Sequence, residues 1–191
     1  MYFKNNERNN TLRGQILNYF ISLLMTDDER AKLLGLPEGC RIRENAKIIN
    51  PENFICGNYV WIGEGAILDA SGGLEIGDHT SVGLNVLIWS HTSYLTNLTL
   101  NNVTGSPLLI RKKTIIGKGC FIGGPSVIYH GVTIGDRVLI LPMSTITKDV
   151  PSNTIVGGSP AKVIKSINEE EIKKLVQEMN EKVNNVHKGN R

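Results

Sequence analysis

"IIGKGCFIGGPSVIYHGVTIGDRVLI", residues 115–140, decides the fold. Its large aliphatics fall at Ile116, Ile122, Ile128, Ile134 and Ile140 without a slip. A helix repeats about every 3.6 residues and a strand every 2, so neither alone demands a step of six. Six is three strand periods, and the aliphatic and the small residue four places later point the same way. "IGKGCF", "IGGPSV", "IYHGVT", "IGDRVL", "ILPMST" and "ITKDVP" are consecutive copies from 116 to 151. "IGEGAI" (62–67), "IGDHTS" (76–81) and "VGLNVL" (82–87) repeat the unit upstream, and Ile42, Ile48 and Phe54 continue it less regularly. Each unit reads as a short strand and a bend, with Gly, Asn or Asp supplying the positive φ of the bend. Three units close a triangular coil whose equivalent residues stack roughly 4.8 Å apart. The aliphatics then form an interior column. Sandwich strands, spaced irregularly by roughly 8–12 residues, do not produce this register.

Helical segments flank the coil. Leu12, Ile16, Leu17, Phe20, Leu23 and Leu24 keep helical spacing. Thr26 and Glu29 form a capping-box pattern for a second short helix ending at Gly35. From Ser166 on, a second such pattern (Ser166, Glu169) opens a helix with a stripe of Ile172, Leu175, Val176, Met179 and Val183. The expected organisation is an N-terminal helical segment over 1–40, the coil over 41–165 and a C-terminal helix over 166–191. A coil leaves unpaired backbone at both ends, and the flanking helices are the expected covers. The first helix is expected to pack on the protein's own core, although a weak peripheral hold on a membrane surface suits it too.

The chain has 191 residues, a net charge of +3 and 40% apolar residues, ordinary for a globular protein. No Lys/Arg stripe interleaved with aromatics marks a nucleic-acid surface. Cys40, Cys56 and Cys120 lie far apart with no CxxC pair, which suits neither a disulfide framework nor a cysteine zinc site. A reducing cytoplasm is the natural setting. The apolar run near the N-terminus is too short to span a bilayer and is broken by Thr26-Asp27-Asp28. His79, His91 and His130 lack the close pairing of a histidine zinc site, so no metal is expected.

The repeat and the stretch "ITKDVPSNTIVGGSPAKVIK" (146–165) resemble the hexapeptide-repeat acyltransferases, specifically their sugar and polysaccharide O-acetyltransferase branch. The resemblance implies a left-handed parallel β-helix over about 40–165, against the right-handed rule for ordinary crossovers. It also implies acetyl-CoA as acyl donor, a carbohydrate acceptor, and a homotrimer with active sites at subunit interfaces.

The register breaks at length between Ile88 and Ile116, where the polar stretch "WSHTSYLTNLTLNNVTGSPLLIRKKT" implies an extruded loop over 91–114. His91 stands where this loop leaves the coil. In the resembling enzymes a histidine there is the general base. Its chemistry suits the task, because a neutral imidazole removes a hydroxyl proton near physiological pH. The resemblance places Gly124, Pro142, Phe121, Thr147 and Lys148 along the coenzyme arm, and Lys162 and Lys165 at its phosphates. Gly124 stands where relatives often carry a serine, and Phe121 where many carry a tryptophan. Asp69 and Asn85 are candidates for acceptor hydroxyls, and Trp89 for stacking on a sugar face. His79 and His130 occupy turn positions that point outward. Two further readings stay open on the same fold: an N-acetyltransferase of a nucleotide-linked amino sugar, and a β-helical scaffold without catalysis.

Overall fold

The computed structural model describes residues 7–102 and 107–189. Its centre is a triangular parallel β-solenoid. The first face stacks Arg41–Ile42, Trp61–Ile62, Ser81–Val82, Phe121–Ile122, Leu139–Ile140 and Thr154–Gly158. The second stacks Lys47–Ile49, Ile67–Asp69, Leu87–Ile88, Val127–Ile128 and Thr145–Ile146. The third stacks Phe54–Cys56, Leu74–Ile76, Thr114–Ile116 and Thr133–Ile134, with Val150 bridged to Ile134. All three ladders are parallel, and like residues pair: Ile122 with Ile140, Ile128 with Ile146, Ile116 with Ile134. The expected column exists. Ile62, Leu68, Ile76, Ile88, Ile116, Ile122, Ile128, Ile134, Ile140 and Ile146 are all essentially without solvent contact. Burying each such side chain contributes about 2–3 kcal/mol.

The step between coils changes along the chain. Ile42 pairs with Ile62 and Ile62 with Val82, a step of twenty, whereas Ile122 pairs with Ile140, a step of eighteen. The surplus lies between the second and third faces, as Leu68 and Ile76 belong to successive strands eight residues apart. The same edge carries the long break after Ile88.

Glycine has a second role here besides the expected bend. The residue straight after each aliphatic (Gly63, Gly83, Gly123) does not take positive φ. A Cβ on Gly83 would stand 2.5 Å from the Ile122 carbonyl oxygen, so glycine is needed where backbone stacks on backbone. The left-handed bend comes two places later, where the expected Gly65, Gly119, Asn45 and Asn85 stand, and also His79, Arg137 and Met143. His79 does sit exposed in such a corner, its ring stacked on Tyr59.

The covers also differ from expectation. Helix α1 (Glu7–Ser22) does not bury its apolar side chains in the core of its own chain. Ile16, Leu17 and Phe20 stay more than half exposed, and α1 meets the coil through Tyr19, which donates to Asn45 Oδ1 at 2.8 Å. The place is already taken by α2 (Asp27–Leu33), whose buried Arg30 donates to the Ile42 carbonyl at 2.5 Å and to the Met25 carbonyl at 2.6 Å. Glu29 accepts from the Thr26 N–H at 2.8 Å, as the capping pattern predicts.

At the other end, strand Ala161–Ser166 folds back antiparallel on Thr154–Gly158 and covers the last ladder. The final helix therefore starts later than expected. Ser166 ends that strand, and the cap is Asn168, whose Oδ1 accepts from the Glu171 N–H at 2.8 Å. The short helix α3 (Tyr94–Leu98) lies in the long break. The last helix, α4 (Glu169–Gly189), leaves Leu175, Val176 and Met179 exposed, so it is not a cover. Gly105 and Ser106 of the long break, and the side chain of Val183, fall outside the described residues.

Candidate active site

The surplus residues at the second–third edge build a seat for His91. With a step of twenty, His91 stacks on Ser71, and Ser71 Oγ lies 2.8 Å from His91 Nδ1. Asp69 ends the strand beneath, and its Oδ2 is 2.6 Å from the same nitrogen. Asp69 has no solvent contact. Its Oδ1 accepts from the Ser71 N–H at 3.0 Å, and its Oδ2 accepts from the Ser90 N–H at 2.9 Å and the Ser90 hydroxyl at 3.2 Å. Burial alone would push the Asp69 carboxyl up. The hydrogen bonds from Ser90, Ser71 and His91 together outweigh it and draw the group down to about 2.

An ionised Asp69 keeps the imidazole proton on Nδ1 and leaves the lone pair of Nε2 free. The imidazole is about one-third exposed, so that lone pair can meet a substrate. Gly72 is glycine for lack of room, since a Cβ there would stand 2.1 Å from the Ser90 carbonyl oxygen. Thr114 ties the next coil in, donating to the Trp89 carbonyl at 2.7 Å and accepting from the Gly131 N–H at 3.0 Å. The Trp89 ring stands edge-on to His91, centroids 6.5 Å apart.

Asp69 is thus not available as an acceptor ligand. Its oxygens are buried and engaged by the chain's own donors, so it serves the imidazole instead. Ser71 and Ser90 carry the same network and were given no role by the sequence reading. The twenty-residue step visible from Ile48 to Leu68 to Ile88 is the signal that would have paired 71 with 91.

The other expected site residues divide between two edges. Trp89, His91, Thr147 and Lys148 follow strands of the second face and share its edge with the third. His130 lies on this edge too, half-buried, with Nδ1 lacking a hydrogen-bond partner among the described residues. Asn85, Gly124 and Pro142 follow strands of the first face and lie on its edge with the second. Phe121 points outward from the first face, half exposed. Lys162 and Lys165 are exposed on the strand that folds back along that face, Lys165 within 3.4 Å of Glu171. One chain does not bring these two groups together. Gly124 has a plain reason for lacking a side chain: a Cβ would stand 1.8 Å from the Leu84 carbonyl oxygen. No three His, Cys, Asp or Glu side chains among the described residues are grouped to hold a metal ion. No helix among them is long and apolar enough to cross a membrane.

Comparison with known proteins agrees with this fold. The family described as bacterial transferase hexapeptide (six repeats) matches residues 113–148. The galactoside O-acetyltransferase of Escherichia coli (strain K12) is 34% identical over 169 residues, 83% of this chain and 79% of that protein. WcaF of the same strain, assigned as a colanic acid biosynthesis acetyltransferase, is 29% identical over 124 residues. That match takes in 65% of this chain and 64% of WcaF's length. Among solved structures, the hexapeptide-repeat acetyltransferase VCA0836 of Vibrio cholerae O1 biovar eltor, complexed with acetyl coenzyme A, superposes with a TM-score of 0.65 at 25% identity. The superposition covers 88% of this chain and 94% of that one. The stacked hexads, the edge break that seats a histidine and these likenesses together place the chain in the hexapeptide-repeat acyltransferase family.

Proposed function

We propose that the protein is an acetyl-CoA-dependent O-acetyltransferase that acylates a carbohydrate hydroxyl, with His91 as general base. The observation that carries this reading is the Asp69–His91 pair, 2.6 Å apart, at the edge where the repeat breaks. Nε2 takes the hydroxyl proton as the oxygen attacks the thioester carbonyl. The carbonyl π electrons move to oxygen, and a backbone N–H is the expected donor to that oxyanion. Collapse re-forms the carbonyl and breaks the C–S bond, and the imidazolium returns the proton to the leaving thiolate. Asp69 stabilises the imidazolium while it exists. Both substrates sit together, so no acyl-enzyme is needed.

The donor suits the outer surface of the first face. Phe121, Leu141 and Met143 offer an apolar strip to the pantetheine arm, alongside Gly124 and Pro142. Exposed Lys162 and Lys165 suit the phosphates, and Thr147 and Lys148 reach the arm from the histidine edge. Because the two groups lie on different edges, we read the working unit as a homotrimer, the His91 edge of one copy facing the first–second edge of the next. Asn85 then approaches the acceptor from the neighbouring copy, and Trp89 flanks the sugar. The name of the galactoside relative supports a carbohydrate acceptor. The cytoplasm, with its acetyl-CoA and its reducing setting for three free thiols, is the proposed location. The open apolar side chains of α1 suit weak peripheral attachment to its membrane.

The test is release of free thiol from acetyl-CoA against a panel of sugars and amino sugars, with calorimetry for coenzyme A binding and light scattering for the trimer. His91→Ala lowers kcat by about 10²–10⁴-fold. Unchanged turnover removes His91 from the mechanism, and transfer to amines alone replaces O- by N-acylation.

A further inference from the structure

The long break does not simply leave the coil. Its two ends pair as an antiparallel ladder, His91–Thr92 against Ile110–Arg111. In that register Arg111 lies directly opposite His91. Directly opposed residues of an antiparallel pair point to the same face, with Cβ atoms about 4.5–5.5 Å apart. A residue with a permanent positive charge therefore leaves the backbone beside His91, on the same face. Arg111 is exposed and forms no hydrogen bond or ion pair with any described residue.

The local acids do not answer this charge. Asp69 is buried and engaged by His91, Ser71 and Ser90. Glu75 is held by Lys113 at 2.6 Å. Lys112, exposed between them in sequence, lays its stem over Gly131 on the same edge and adds to the positive field. The phosphates of the acyl donor do not account for Arg111 either. The thioester has to lie at His91, and the pantetheine arm holds the phosphates most of its extended length away. An oxyanion donor needs to be rigid and pre-aimed, which an exposed, unbraced guanidinium is not. What remains is the acceptor.

We propose that Arg111 makes the acceptor site selective for a carbohydrate bearing a negative charge, carboxylate or phosphate, close to the hydroxyl that is acylated. The guanidinium presents a planar fork of donors that matches either group, and it draws the neighbouring hydroxyl toward Nε2. This rests on the reading of His91 as the base.

The experiment measures kcat and KM of acetyl transfer for neutral hexosides, hexuronides and hexose phosphates. It uses the full chain and its Arg111→Gln and Arg111→Lys variants, with thermal melts to confirm folding. The charged acceptors lead the neutral ones by about 10- to 100-fold in kcat/KM, the range of a charge-assisted hydrogen bond. Arg111→Gln collapses that ratio, chiefly through KM, and Arg111→Lys restores part of it. Whether hexuronides or hexose phosphates lead identifies the anion, and either lead supports the inference. A chain that acylates neutral acceptors equally well or better, still dependent on His91, overturns this inference and leaves the base in place. An equal loss on all acceptors in Arg111→Gln also overturns it, since that marks a general role in the reaction or the hairpin. A chain that binds no coenzyme A and acylates nothing overturns both readings.

Discussion

Asp69→Asn tests the centre of the mechanism with one atom changed. The wild-type carboxylate uses Oδ1 for the Ser71 N–H and Oδ2 for the Ser90 N–H, the Ser90 hydroxyl and the His91 Nδ1–H. An amide has one oxygen to offer. If its nitrogen takes the Oδ2 place, it faces the Ser90 N–H, and His91 must carry its proton on Nε2, which abolishes the base. If its nitrogen takes the Oδ1 place, it faces the Ser71 N–H at about the same 3.0 Å. In both orientations the imidazolium loses its counter-charge. A charge-assisted hydrogen bond is worth about 1.5–3 kcal/mol, and a buried donor without an acceptor costs about 1–3 kcal/mol. A barrier raised by about 3–5 kcal/mol lowers kcat by roughly 10²–10⁴-fold. The assay is thiol release at saturating acetyl-CoA, with the coenzyme A dissociation constant measured in parallel. Binding should stay within about twofold, because Asp69 touches no outer surface. A folded variant that keeps kcat within about threefold of wild type refutes the argument that the buried carboxylate prepares the imidazole.

Further predictions concern stability. The Asp69 carboxyl ordinarily titrates near 3.8 and is held here at about 2, so its stabilising effect is present above pH ~4 and is lost as pH falls toward 2. That depression is worth about 2 kcal/mol, and acid unfolding of Asp69→Asn should lack this component. Gly124→Ser drives a Cβ into the Leu84 carbonyl and should cost at least about 2 kcal/mol in urea unfolding. Ile128→Ala removes a fully buried rung of the column and should cost about 2–5 kcal/mol by the same measurement.

Much of this was readable in the chain. The six-residue step over 116–146 exposes the coil because each hexad there contributes one aliphatic to the same interior. The break after Ile88 located His91 because a closed coil has nowhere to put extra residues except outside it. Asp69 was noticed as a candidate for acceptor hydroxyls, without its partner His91. Its contact with His91 spans 22 positions and exists only because coils stack, which single-strand periodicity does not encode. Arg111 was passed over for a related reason: its pairing is antiparallel, inside the stretch where the repeat is silent. The role of α1 as a lid was misjudged because helical spacing reports an apolar stripe without saying what covers it. Arg30 of the following helix, a charged residue that composition places outside, fills that place by satisfying two carbonyls.

The crowding that forces Gly83 against the Ile122 carbonyl has a consequence for how such a chain can change. Two of the three corners of the prism are shut to added residues, since any extra atom there pries coils apart and breaks ladders above and below. The corner that already varies, by two residues at Ser71–Gly72 and by a whole excursion after Ile88, absorbs length at no cost to stacking. New acceptor chemistry can therefore be grafted onto this scaffold only along one of its three long seams, and the His91 imidazole sits on that seam.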